Sequence, residues 1–130
     1  MADEIRYSLE KFEKAFAALK EGAEKASSEL ENDGVIQRFE FCFELMWKAG
    51  KVVLADRGIT VSSPKETLKE MFRQGWLEDE AKAVEMMYDR NLMSHTYDKN
   101  SADKALARIK ASHVDSLSKI LNELKKAAER

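Results

Sequence analysis

At 130 residues, with 44% hydrophobic and 35% charged side chains, the chain has material for one domain with a real core and too little for two. One proline and five glycines favour long helices and argue against disorder. A formal charge of −2 argues against broad electrostatic capture of nucleic acid, leaving room for a local basic pocket, and the single cysteine, Cys42, excludes an internal disulfide or a cysteine-built zinc site.

The first residues, Met1-Ala2-Asp3-Glu4, are acidic and lack the basic-then-apolar order of a secretory signal. No apolar run approaches the roughly 20 residues that span a bilayer. A soluble, cytoplasmic protein with no membrane partner is expected. Ile5, Leu9, Phe12, Phe16, Leu19, Ala23, Ala26 and Leu30 recur in alternating steps of four and three, which predicts an amphipathic helix of about eight turns. Asn32-Asp33-Gly34 then supplies residues suited to a tight reversal, so the next helix should run antiparallel to the first.

That second helix, about Val35 to Arg57, gathers Gln37, Glu40, Glu44, Lys48 and Lys51 into one narrow polar stripe and is apolar nearly everywhere else. Such a helix is either central in its domain or carries a second buried face against another subunit. Arg38 falls on the apolar side, near Leu45 and Ala49 in projection. It reads either as a snorkelling side chain whose stem packs, or as a site or interface arginine.

Gly58 predicts a helix stop, and Ser63-Pro64-Lys65-Glu66 a helix start with a Ser N-cap, Pro at N1 and Glu at N3 able to close a capping box. The short third helix should pack through Leu68, Met71 and Phe72 and end at Gly75, with Trp76-Leu77 as the hydrophobic contact beyond the cap. A fourth helix begins near Glu78-Asp79-Glu80, where acids suit the positive end of its dipole. Ala83, Val84, Met86, Met87, Tyr88 and Met93 are expected inside, and Glu85, Asp89 and Thr96 outside. Asp98-Lys99-Asn100 breaks this helix. A last one, capped by Asn100 or Ser101, aligns Leu106, Ile109, His113, Leu117, Ile120 and Leu124 to the C-terminus. The expected fold is all-α: an antiparallel up-and-down four-helix bundle with an additional short helix, forming a single domain over residues 1–130.

The candidate chemistry lies in Arg90-Asn91-Leu92-Met93-Ser94-His95-Thr96-Tyr97. Here are a group that exchanges protons near neutral pH, a fixed cation and a hydroxyl, types suited to phosphate chemistry. Helical projection pairs Arg90 with Tyr97 and Asn91 with His95, and sets Arg90 and His95 about 140° apart. To reach one phosphate, those two need a distorted final turn or a second subunit. The alternative is a buried polar knot that closes the bundle, with Arg90 paired to a carboxylate of another helix. His113 reads as a satisfied core or interface histidine, or as a pocket-lining one. Cys42, between Phe41 and Phe43, reads as an inert core thiol, and Glu40, Glu44 and Lys48 as a solvated stripe or, for the two glutamates, as an acidic pair near a nucleotide site. Two distant histidines give no metal site, and no cofactor is expected.

The stretch matches the R-x4-H-x-Y form of the R-x4-6-H motif of HEPN-superfamily proteins. Ile36-Gln37-Arg38-Phe39-Glu40-Phe41 with Phe43-Glu44-Leu45-Met46-Trp47-Lys48 resembles a second hallmark, that of the nucleotidyltransferase substrate-binding branch similar to HepT-type toxins. Ser63-Pro64 and Gly75-Trp76-Leu77 fit the same template, so the resemblance covers about residues 5 to 125. One departure is Ala83, where similar sequences often carry tryptophan, which bears on pocket shape. The resemblance implies a helical-bundle homodimer whose motifs line a shared cleft that takes nucleotide or RNA, partnered by a small nucleotidyltransferase. In HepT-like members it implies a metal-independent ribonuclease, silenced when the partner adds AMP to the motif tyrosine, here Tyr97. Carried over, Arg90 would stabilise charge on the phosphorane, His95 would move protons, and Asn91 would orient. Three readings remain: a ribonuclease toxin, a non-catalytic nucleotide- or substrate-binding subunit, and a helical dimer whose polar cluster is only structural.

Overall fold

A computed structural model describes residues 2–93 and 98–129. Six α-helices follow one another among the described residues: α1 (Ala2–Lys25), α2 (Glu29–Asp56), the short α3 (Pro64–Arg73), α4 (Glu80–Met93), α5 (Lys99–Arg108) and α6 (Val114–Ala128). A π-helical turn, Ile109–His113, joins α5 to α6, so the expected last helix is one rod with a widened turn inside it. The architecture is the expected up-and-down bundle of four principal helices with α3 as the additional short one.

The reversal between α1 and α2 is not at Asn32-Asp33-Gly34, which lies inside α2. The chain turns at residues 26–28 instead, and α1 ends at Lys25. Ser28 caps α2: its side chain accepts from the Glu31 backbone N–H at 3.1 Å, while Glu31 accepts from the Ser28 backbone N–H at 3.0 Å. This reciprocal pair satisfies two otherwise orphaned donors, which outweighs the turn propensity of Asn-Asp-Gly and the helix cost of Gly34.

The helix starts and stops beyond it follow the sequence closely. Gly58 and Gly75, both at positive φ, end α2 and α3 in the same way. Gly58 N–H donates to Ala55 and Ile59 N–H to Leu54; Gly75 N–H donates to Phe72 and Trp76 N–H to Met71. Those two bonds define the Schellman motif, in which the left-handed residue is usually glycine. Ser63 caps α3, but Glu66 accepts from the Ser62 N–H at 2.7 Å, one residue before the expected box partner. Asp98, not Asn100 or Ser101, caps α5 through the Ser101 N–H at 2.7 Å.

The core forms along α2. Phe39, Cys42, Phe43, Met46 and Leu54 meet Phe12 and Leu19 from α1, Met71 from α3, Met86 from α4, and Ile109, Leu117 and Leu124 from the C-terminal rod. Most of the broad apolar girth of α2 is thus covered by its own chain and the helix is central, while Phe41 stays exposed and Leu45 is half-buried. Gly50 permits the closest approach, since a Cβ there would lie 2.5 Å from Met71 Sδ. Cys42 is fully buried, and burial pushes its thiol up to about 12, as expected of an inert core cysteine. Among the described residues no helix is long and apolar enough to cross a membrane.

Candidate functional site

Helix α4 turns out rotated relative to the sequence expectation. Ala83, Met86 and Asp89 face inward, whereas Val84 and Tyr88, expected inside, are 51% and 63% exposed. Asp89, expected outside, is fully buried. The rotation follows from what the interior offers that carboxylate. Arg108 donates to it twice, Nε to Oδ2 at 2.8 Å and Nη2 to Oδ1 at 2.6 Å, and His113 Nε2 lies 2.7 Å from Oδ2. Burial pushes the Asp89 carboxyl up, but the donors and positive charge of Arg108 and His113 outweigh it and hold the group below its ordinary range. His113 is fully buried and stacks on Phe39 with ring centroids 5.2 Å apart. It is the core histidine the sequence offers, bonded through Nε2, while its buried Nδ1 has no hydrogen-bond partner among the described residues.

One position further along α4 the chemistry changes. Arg90 is half-buried and turns toward α2, where its Nη2 lies 3.7 Å from Glu44 Oε2. The same oxygen accepts from the Trp47 indole N–H at 3.2 Å, and Lys48 approaches the other oxygen at 3.6 Å. Burial pushes the nearby Glu40 carboxyl up, and the positive charge of Arg90 draws it partly back. Glu40 and Glu44 are therefore not a solvated stripe: both are half-buried beside Arg90. The central helix thus supplies a carboxylate that faces the Arg90 guanidinium.

Asn91 follows on α4 with its side chain exposed. His95 and Tyr97 lie outside the described residues, as does Thr96. Arg38 is not brought to this cluster. It lies about 200° from Glu40 around α2, and its Nη1 donates to the Ala18 carbonyl at 2.6 Å. Its guanidinium packs over Gly22 while the side chain stays exposed, the snorkelling arrangement. Ala83 is buried in the wall of a cavity of about 500 Å³ that Trp76, Met86 and Ile120 also line, on the α6 side of α4.

Sequence reasoning missed Asp89 and Arg108. Asp89 follows Met86 by three positions, a helical-face signal that the neighbouring Tyr88 obscures. Arg108 and His113 are five apart, which a regular α-helix sets about 140° from each other. Only the wider π turn, in which Val114 N–H donates to the Ile109 carbonyl five residues back, brings both to one carboxylate.

Residues 7–126 match the nucleotidyltransferase substrate binding protein like family. The chain belongs to that family. Within it and around it, several relatives are informative. A Haemophilus influenzae Rd protein named "Probable ribonuclease HepT" is 37% identical over 81 residues, 58% of this chain and 56% of that relative, so the match spans little more than half of the relative's length. A crystal structure from Thermus thermophilus is 32% identical with a TM-score of 0.76, covering 92% of this chain and 99% of that one. A tri-AMPylated Shewanella oneidensis HEPN toxin in complex with an MNT antitoxin is 14% identical with a TM-score of 0.77, covering 97% of this chain and 99% of that one. At that identity the likeness is one of fold. For this family member, the fold places Arg90 and Asn91 at the end of α4, immediately before the segment that carries His95 and Tyr97.

Proposed function

We propose that this protein is the HepT-like HEPN subunit of a two-component nucleotidyltransferase system of the toxin–antitoxin kind, acting as a metal-independent endoribonuclease. The observation that carries the reading is Arg90: a half-buried cation at the end of α4, braced by Glu44 of the central helix and followed in sequence by Asn91, His95 and Tyr97. Family membership and the HepT name of the Haemophilus relative support it.

In the proposed reaction the ribose 2′-hydroxyl attacks the adjacent phosphorus, a 2′,3′-cyclic phosphate forms, and the 5′-oxygen leaves. His95 moves the proton between attacking and leaving oxygens, and Arg90 stabilises the charge that builds on the phosphorane. Asn91 orients the substrate. A homodimer would set the motifs of two chains about one cleft that holds RNA or nucleotide. The partner transferase would silence the site by placing AMP on Tyr97, a reading supported by the AMPylated toxin that shares this fold. Such a pair would work in the cytoplasm.

A second reading, a non-catalytic nucleotide- or substrate-binding subunit using the same residues, draws on one specific observation. Glu40 and Glu44 crowd carboxylates beside Arg90, which suits one phosphate group better than a long polyanion. Cleavage of RNA by the purified protein in EDTA, with and without His95→Ala, separates the two. The ribonuclease reading expects cleavage lost on substitution. Cleavage that persists removes His95 from the chemistry, and nucleotide binding without cleavage favours the second reading. Intact mass after incubation with the partner transferase and ATP should rise by AMP, and Tyr97→Phe should abolish the rise.

A further inference from the structure

Arg90 directly follows Asp89, so whatever fixes the rotation of α4 at Asp89 also fixes where Arg90 points. One residue further along a helix is about 100° of rotation and roughly 1.5 Å of rise. Asp89 is held from two sides, with Arg108 gripping both carboxylate oxygens and His113 sharing Oδ2. Arg90 approaches Glu44 at 3.7 Å from the next position of the same helix. The π turn at Ile109–His113 is what makes the grip possible, because regular α-helical geometry would turn either Arg108 or His113 away.

We infer that Asp89, clamped by Arg108 and His113 across the π turn, is the positioning residue of the Arg90 site: it sets the rotation of α4 that delivers the Arg90 guanidinium to Glu44. This rests on the reading of Arg90 as a site residue, and it assigns that site a support lying on a different face of α4. Asp89 touches no substrate. Its effect should fall on the transition state, because a guanidinium displaced by a fraction of a turn still attracts phosphate yet misses the developing charge.

The test uses Asp89→Asn in the full chain, with Arg108→Lys as the milder variant should the first fail to fold. Arg108→Lys keeps the charge but loses the two-pronged grip. Two readouts are taken. The first is the indole N–H proton resonance of Trp47, which donates to the same Glu44 oxygen that Arg90 approaches. Trp76, the other tryptophan, sits under Arg57 and lines the cavity beside Ala83 and Met86 of α4, so its resonance is followed as a report on the opposite face of that helix. The inference expects the Trp47 signal to move in the direction produced by Arg90→Ala. The second is RNA cleavage in EDTA, where kcat should fall about 100-fold with KM within about a factor of two, and Arg108→Lys should lie between. A folded variant with the Trp47 signal unmoved and kcat unchanged overturns the inference. If the parent chain cleaves no RNA, the ribonuclease reading falls, while the Trp47 resonance still decides whether Asp89 positions Arg90.

Discussion

Two neighbouring residues of α4 end in opposite kinds of polar environment. Asp89 is fully buried and saturated by a forked arginine and a histidine; Arg90 is half-buried, touched by Glu44 at 3.7 Å, and shares that carboxylate with Trp47 and Lys48. The Asp89 carboxylate accepts from protein donors on both oxygens, whereas the Arg90 guanidinium lies half-buried near the end of α4, facing a carboxylate of the central helix. The contrast separates scaffold from candidate site in two equally polar regions.

The largest effect expected is on stability at Asp89. Asp89→Asn takes one partner from a buried ion cluster and should cost about 3–5 kcal/mol in urea unfolding. Its pH dependence fixes the sign. A carboxyl held below its ordinary value stabilises the fold above the unfolded value of about 3.9, and that contribution is lost as pH falls through the folded value. The gap between parent and variant should therefore close as the pH is lowered below about 4. A gap that widens in acid would mean the carboxyl is not ionised in the cluster.

Smaller effects probe the same division of labour. Ser28→Ala removes the cap of α2 and should cost ~1 kcal/mol by thermal unfolding, with RNA cleavage unchanged; a change in cleavage would couple the α1–α2 turn to the site. Glu40→Gln removes a carboxyl that burial disfavours in its charged form. Stability at neutral pH should hold or rise slightly, and any gain should shrink as pH falls and the parent residue takes up a proton. A clear loss instead would show that Glu40 braces Arg90 as Glu44 does.

Much of this molecule is legible before any coordinates. The glycine stops at Gly58 and Gly75 and the Ser63-Pro64 start are local chemistry, decided within a few residues, and the structure places them as expected. The girth of its apolar surface leaves α2 either central or bound to another subunit, and the structure shows it central, with Phe41 still exposed. The α1–α2 turn escapes such a reading because two local signals compete, and the Ser28–Glu31 box is the stronger since it satisfies backbone donors. The rotation of α4 escapes it for a different reason. Tyr88 looks like a core residue and Asp89 like a surface one until Arg108 and His113 are known to converge, and their convergence depends on a π turn that a fixed 100° projection cannot contain.

The proposed reading gives Arg90 a direct role in the site and Asp89 a supporting one, one residue apart. Measuring both RNA cleavage in EDTA and urea unfolding on Arg90→Ala tests that division most directly. Stability should change by less than ~1 kcal/mol, as for a partly exposed ion pair, while cleavage falls about 100- to 1,000-fold, as when one stabiliser of a charged transition state is removed. An Arg90→Ala protein that loses several kcal/mol like the Asp89 variant, or that cleaves as well as the parent, would refute it.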